Sequence, residues 1–280
     1  MSALHLDNRL VHYEVVGKRG QPIIFLHSWL GSWRYWLPTM DHISERYRAY
    51  ALDFWGFGES DRNESDYSLS TYVTMICRFM DHLGITKVNL AGHGLGGMVA
   101  IRAASLHPDR FNKIIVSNTP IDGVQLQEIV RPGALSRLFG RSNPTNIWAR
   151  LIRQFEMDDP EIHKEIIEDT ESLSEKLVQQ VITAILETDL RQDLAKLEAP
   201  LLGIYGERDS LVSHTHADFL QEDYKHLQQK IKIPKAHHFP FLDHTNVFNR
   251  LTMDFLNSSS DDKVAIKEEW RRRVSQLEYI

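Results

Sequence analysis

Along the first fifty residues the spacing of apolar positions changes. Residues 11–16 alternate apolar with polar, residues 23–26 are apolar throughout, and residues 49–52 form a short apolar run closed by Asp53. Alternation marks a strand with one wet face, and an unbroken run marks one covered on both faces. The period then lengthens. Tyr72, Val73, Ile76, Phe79, Met80 and Leu83 share one helical face, and Ser70 stands where a helix cap is needed. Residues 87–91 read as a strand, 96–106 as a helix, 112–116 as a buried strand, and 201–205 as another after a long interruption. Strand and helix in turn predict an α/β fold on a mostly parallel sheet covered on both sides.

The interruption, residues 123–186, carries helical spacing at 147–155 and 177–186 but no buried strand, so a helical cap inserted into the sheet domain is expected. Residues 1–122 and 187–256 would then form the core, with Pro200 discouraging helix just before the strand at 201. Residues 257–262 read as a linker. Residues 263–280 could form an amphipathic helix with Ile266, Trp270, Val274 and Leu277 on one face. Next to Trp270, Arg271, Arg272 and Arg273 could meet an acidic partner or a membrane surface, although such runs are more often solvated, and the helix itself offers a route to a protein partner or to self-association.

A length of 280 residues, with 42% hydrophobic and 25% charged positions, suits one large globular domain with an insertion. A net charge of −6 supplies no general attraction for nucleic acid, so none is expected as a partner. The lone Cys77 cannot form an intrachain disulfide, no leader pattern is visible, and no apolar stretch nears the ~20 residues of a membrane span. Cytoplasm is the expected location. No metal-ligand spacing is present, His214/His216 and His237/His238 being weak signals alone. The glycines at 92, 94, 96 and 97 are one position too tight for a dinucleotide fingerprint. No cofactor is called for.

The segment 88–100, VNLAGHGLGGMVA, is an apolar strand, a glycine-bracketed turn and a helix. A turn of this kind lifts a nucleophile above a sheet, with small neighbours avoiding collision between strand and helix, and it normally reads G-x-S-x-G. Gly92 and Gly96 fit, whereas Gly94 holds the nucleophile position. From about residue 4 to 256 the chain resembles the α/β-hydrolase family. FLHSWLGSWRYW at 25–36 resembles the family's oxyanion loop, with Ser28 where a glycine usually follows the histidine. LDFWGFGESD at 52–61, LLGIYGERDSLV at 201–212 and HHFPFLDH at 237–244 resemble its D-x-x-G-x-G-x-S segment, its acid turn and its histidine loop. The resemblance implies Asp209 as acid, His238 as base and Gly94 at the nucleophile position, in the order expected for this fold. The adjacent His237 remains a rival on spacing alone.

Glycine has no side-chain oxygen, so the usual seryl intermediate cannot form at position 94. Backbone donors survive the change. Leu95 N–H, with Ser28 or Trp29 N–H, would form an oxyanion hole, and His238 oriented by Asp209 could activate a water in the space vacated at 94. Ser28 is also the nearest replacement hydroxyl, though a structural role is the more ordinary reading of it. Cys77, on a periodic apolar face, reads as packing. The resemblance places a pocket beside the loops after strands, so His27, His93, Trp33, Trp36 and, from the insertion, Trp148 are the expected lining for a small-molecule substrate or ligand. Hydrolysis of a small ester or related carbonyl compound leads. A non-catalytic ligand-binding or scaffold protein, and a cofactor-free lyase or proton-transfer enzyme, are the alternatives.

Overall fold

The computed structural model describes residues 2–29, 31–62, 66–126, 153, 160–220, 228–259 and 262–266. One eight-stranded sheet runs through them in the order β1 (Ser2–Leu6), β2 (Arg9–Val16), β4 (Tyr47–Leu52), β3 (Gln21–Leu26), β5 (Val88–His93), β6 (Phe111–Ser117), β7 (Leu201–Gly206), β8 (Gln228–Ile233). β1–β2 and β2–β4 are antiparallel, and every other pair is parallel. The burial follows from this order. β5 and β7, with parallel neighbours on both sides, are buried at every residue, whereas β2 keeps a half-wet face. A two-residue turn joins β1 to β2, and its positive φ angles, 52° at Asp7 and 64° at Asn8, suit the short polar side chains there.

Helices cover both faces of the sheet. α1 (Leu37–Ile43) connects β3 to β4 on one side of β3, and α2 (Leu69–His82) connects β4 back to β5 on the other. Right-handed crossovers running in opposite directions put these helices on opposite faces. α3 (Leu95–Leu106) packs beside α2, and α1 packs against the late helix Thr245–Asn257, to which Thr39 Oγ1 donates a 2.7 Å hydrogen bond at Asn249. Reversal of chain direction at β3 and β5 opens a crevice at their carboxyl ends, the usual ligand position in sheets of this kind.

The α2 cap differs from the sequence expectation. Ser68, not Ser70, accepts the Thr71 N–H, at 3.3 Å, and the helix begins at Leu69. Asp66 fixes the turn early, since it accepts the Ser68 N–H at 2.9 Å and the Thr71 hydroxyl at 2.6 Å.

Between β6 and β7 the described residues hold helices α4 (Pro160–Glu171) and α5 (Glu175–Leu186), followed by the short α6 (Arg191–Lys196). The excursion leaves and returns through a narrow neck. Gly123 N–H donates to Thr188 O and Leu190 N–H to Ile121 O, both at 2.8 Å, around a bridge between Asp122 and Asp189. Trp148 and the helical spacing over most of 147–155 lie outside the described residues.

β8 and the helix Thr245–Asn257 complete the core. Helix was expected from residue 263, but 262–266 contains none. The Gln229 side chain takes up the backbone there instead, its Nε2 donating to Asp262 O at 2.9 Å and its Oε1 accepting the Val264 N–H at 2.6 Å. Val264 and Ile266 rest against the core, and residues 267–280, with Trp270 and the arginines at 271–273, lie outside the described residues.

Candidate active site

Strand register assembles the site. Leu26 pairs with Gly92, His93 with Ser117, Ser117 with Ile204, and Gly206 with Ile233. The loops leaving β3, β5, β6, β7 and β8 therefore emerge at one edge of the sheet.

After β3 comes His27, wholly buried. Its Nε2 accepts the Phe54 N–H at 2.9 Å, so its Nδ1 carries the proton and donates to Ser28 O at 2.6 Å. Burial drives its pKa down against the opposing pull of Asp53 and of the Ser28 carbonyl. His27 is thus a neutral brace with both nitrogens spent on main chain, which differs from the lining role expected of it. Ser28 O also accepts the Gly31 N–H at 3.1 Å, so the Ser28 backbone is held firmly. The Ser28 side chain is buried, and its hydroxyl has no hydrogen-bond partner among the described residues. Trp29 is half-buried against the core.

The turn after β5 is tight on every side. A Cβ on Gly92 would strike the Gly96 backbone, and one on Gly96 would strike the carbonyl oxygens of Leu26 and His27. Glycine at both positions is what allows α3 to start directly above the β3 loop. Gly94 itself has φ 51° and ψ −115°, a backbone that side-chain-bearing residues adopt only under strain. A Cβ there would collide with the Ser28 hydroxyl oxygen and sit 3.0 Å from Ser28 Cβ. The space expected for a water is already filled by that hydroxyl. Leu95 is the first residue of α3, so its N–H has no partner within the helix and lies at the positive end of the helix dipole.

Asp209 follows β7 and His238 follows β8. His238 Nδ1 lies 2.8 Å from Asp209 Oδ2, with the His238 side chain 6% and the Asp209 side chain 0% exposed. Asp209 Oδ1 accepts the N–H groups of Leu211 and Val212 at 2.8 and 3.1 Å. Burial by itself would raise the Asp209 pKa, but His238, Asn118 and the Leu211 N–H together hold it below the ordinary carboxylate value. The structure also separates the adjacent histidines. The His237 side chain is 52% exposed and turns to Asp243, whose Oδ2 accepts the His237 N–H at 2.8 Å.

Two positioning residues went unread as such in the sequence. Asn118 Nδ2 donates to Asp209 Oδ2 at 2.5 Å and to His237 O at 3.3 Å, from a backbone with φ 43°. The available signal was the polar run Ser117-Asn118-Thr119 at the end of a strand with the apolar run Ile114–Val116, since polar groups in so buried a place need a reason. His93, expected in the lining, is instead wholly buried. Its Nε2 donates to His238 O at 3.0 Å, and its ring stands 4.6 Å from the His238 ring, centre to centre. Burial first, and the nearby His238 second, push its pKa well down, so it is a neutral strut under the histidine loop.

The structure does not bring the two expected tryptophans to this point. Trp36 is wholly buried and stacked 4.5 Å from Phe241. Trp33 lies toward β2, where its N–H donates to Asp53 at 2.8 Å and its ring is 6.1 Å from His12. His216, noted for its spacing from His214, accepts the Ile121 N–H at 3.1 Å and anchors a loop. Among the described residues no three His, Cys, Asp or Glu side chains are grouped to hold a metal ion.

The α/β-hydrolase-fold family model matches residues 21–173, more than half of the chain. This chain belongs to the α/β-hydrolase family. The proteins it is similar to are of several kinds. It is 26% identical to the dihydrolipoyllysine-residue acetyltransferase component of an acetoin cleaving system from Pseudomonas putida, over 87% of this chain and 65% of that one. It is 36% identical to epoxide hydrolase 4 of Mus musculus over 45% of this chain, which spans 36% of that protein's length. With the pimeloyl-[acyl-carrier protein] methyl ester esterase of Aeromonas hydrophila it shares 26% identity over 85% of this chain and 96% of the other. The enol-lactonase structure from Burkholderia xenovorans LB400 superposes with a TM-score of 0.77 at 20% identity, covering 92% of this chain and 100% of that one, which shows likeness of fold. No helix among the described residues is long and apolar enough to cross a membrane.

Proposed function

We propose that this protein hydrolyses a small carboxylic ester or lactone. The observation that carries the reading is the buried His238–Asp209 pair, 2.8 Å apart, at the strand ends where the first N–H of α3 is open. In this reading His238 takes the proton from the attacking oxygen and returns it to the leaving alcohol, while Asp209 fixes the imidazole with its second nitrogen turned away from the carboxylate. Leu95 N–H and the N–H of Trp29 or Ser28 hold the negative charge that develops on the carbonyl oxygen, at a helix start that favours it. Gly94 supplies backbone only. Relatives named as a methyl ester esterase and, from Acinetobacter baylyi, a 3-oxoadipate enol-lactonase support ester-type bonds as the substrate class.

The test is turnover of a panel of short-chain p-nitrophenyl esters and simple lactones by the wild-type chain and by His238→Ala. Loss of the base should cost about 10²–10⁴-fold in kcat. Equal rates for the two proteins would remove His238 from the chemistry. A second reading, a ligand-binding member of the family without turnover, is favoured by Gly94 alone, and it predicts saturable binding of such esters that leave unchanged.

A further inference from the structure

We propose that the Ser28 hydroxyl is the nucleophile of this site, delivered from the loop after β3 rather than from the turn after β5. The inference deepens the esterase reading and rests on it.

Three independent observations converge on Ser28. The first is volume. A side chain at position 94 would have to occupy the place where the Ser28 hydroxyl oxygen now stands, so the hydroxyl lies at the elbow although its residue does not. Gly94 is what makes the room, and its φ of 51° lets the turn survive without a side chain.

The second observation is the unpaired state of the hydroxyl. Taking a hydroxyl out of water without a partner is unfavourable, and such a group in a folded protein calls for an explanation. Ser28 is wholly buried, and its Oγ makes no hydrogen bond among the described residues. A structural serine in a loop is ordinarily satisfied by nearby main chain. Here the main chain around it is already committed, because Ser28 O accepts from both His27 Nδ1 and the Gly31 N–H, at 2.6 and 3.1 Å. The backbone is rigid, and one torsion, χ1, is left to swing the hydroxyl between staggered positions.

The third observation is the base. Asp209 engages His238 Nδ1, which puts Nε2 on the far edge of the ring, and that ring packs against His93, the residue immediately before Gly94. Imidazole and hydroxyl thus approach the same turn from opposite loops. A looser arrangement in the free protein is common for such a pair and tightens when substrate is bound.

The chemistry balances without any further reagent. The Ser28 oxygen adds to the ester carbonyl carbon as its proton passes to His238 Nε2, and the carbonyl π pair becomes an oxyanion facing the Leu95 N–H. Collapse re-forms the carbonyl and breaks the bond to the alcohol, which leaves with the proton from His238. Water then adds to the acyl-Ser28 ester, His238 again taking the proton, and the second collapse releases the acid and restores the serine hydroxyl. The net reaction is ester plus water to acid plus alcohol.

The decisive experiment uses the wild-type chain, so folding of a variant is not at issue. The protein is treated with diethyl p-nitrophenyl phosphate, digested, and the diethylphosphoryl adduct located by tandem mass spectrometry. The expected adduct is on Ser28, at least 100-fold slower to form in His238→Ala. An adduct on any other residue overturns the proposal, as does its absence from a protein that turns over p-nitrophenyl acetate. Turnover is measured in parallel for Ser28→Ala, with its fold checked by circular dichroism, and a loss of at least 100-fold in kcat is expected. Wild-type rates in Ser28→Ala with loss of activity in His238→Ala would sink Ser28 while sparing the esterase reading, water then being the attacking group. No adduct and no ester turnover in wild-type protein would overturn both.

Discussion

At the scale of single residues, Gly94 and Ser28 are coupled by contact, and that coupling is measurable without knowing the substrate. Gly94→Ser puts a side chain on a backbone with φ 51° and drives its Cβ into the Ser28 hydroxyl. The strain is of order 1–3 kcal/mol, so a lower urea midpoint is expected for the single variant. Adding Ser28→Gly removes the collision but not the strained backbone, and the double variant should recover part of the loss. Strict additivity of the two changes would mean that the side chains do not meet. Asn118 invites a second test. Asn118→Gly keeps the left-handed backbone, φ 43°, but removes the donor to Asp209. We expect a fall in kcat worth about 1–3 kcal/mol with KM little changed, because the lost bond orients the acid and does not bind substrate. A matching loss confined to stability would reduce Asn118 to a packing residue. The glycines at 92 and 96 were legible from the strand–turn–helix pattern, whereas Gly94, Asp209 and His238 were legible only through the resemblance to the α/β-hydrolase family, spacing alone leaving His237 a rival. Asn118 and His93 were not, since their work depends on which carbonyl or carboxylate the fold brings beside them.

At the scale of elements, one arginine ties the loop after β3 to α4. Arg34 reaches Glu165 at 2.7 Å, Glu59 at 2.9 Å and Asp169 at 3.0 Å, with its own side chain 15% exposed. Two of these carboxylates belong to α4, so the guanidinium fastens that helix to the sheet domain. Arg34→Ala would leave three carboxylates facing one another. Solvent screening tempers the effect because Glu165 and Glu59 are partly wet. Hydrogen exchange should show α4 amides opening faster, by roughly 1–2 kcal/mol, with β5 and β7 unchanged. Exchange rates in α4 equal to those of the wild type would mean that apolar contacts alone hold the helix. Elements with a strong period were readable from sequence, as α2 and the buried strands β3, β5 and β7 illustrate. β8 was missed because QQKIKI is a short, polar edge strand whose place is set by its pairing with β7 and by Gln228 Nε2 donating to Leu194 O at 3.0 Å. Displacement of the α2 cap by two residues had the same origin, a local choice between Ser68 and Ser70 made by Asp66.

For the whole molecule, buried ionisable pairs at two places in the sheet domain give the stability of the fold a pH dependence of predictable sign. His12 on β2 donates from Nδ1 to Asp53 Oδ2 at 2.8 Å, and Asp53, just past β4, also accepts the N–H groups of Trp33 and Glu59 at 2.8 and 3.0 Å. Burial alone would lower the His12 pKa, yet Asp53, with Glu59 and Glu14, carries it above the ordinary value of 6.5. The folded chain therefore holds this proton more tightly than the unfolded chain. Its stabilisation is complete below pH 6.5, where both states are protonated, and disappears as the pH rises through the raised folded value. Asp209 acts in the opposite direction. Its folded pKa is lowered, so its contribution is present above the ordinary carboxylate value of 3.8 and is lost as the pH falls through the folded one. Together the two groups favour a mildly acidic optimum for this part of the stability. Urea midpoints measured from pH 6.5 upward should decline for the wild-type chain, and His12→Asn, which has no proton to lose there, should decline less steeply over the same range. Parallel curves for the two proteins would show that the His12–Asp53 pair carries none of the alkaline loss and that its proton is not linked to folding.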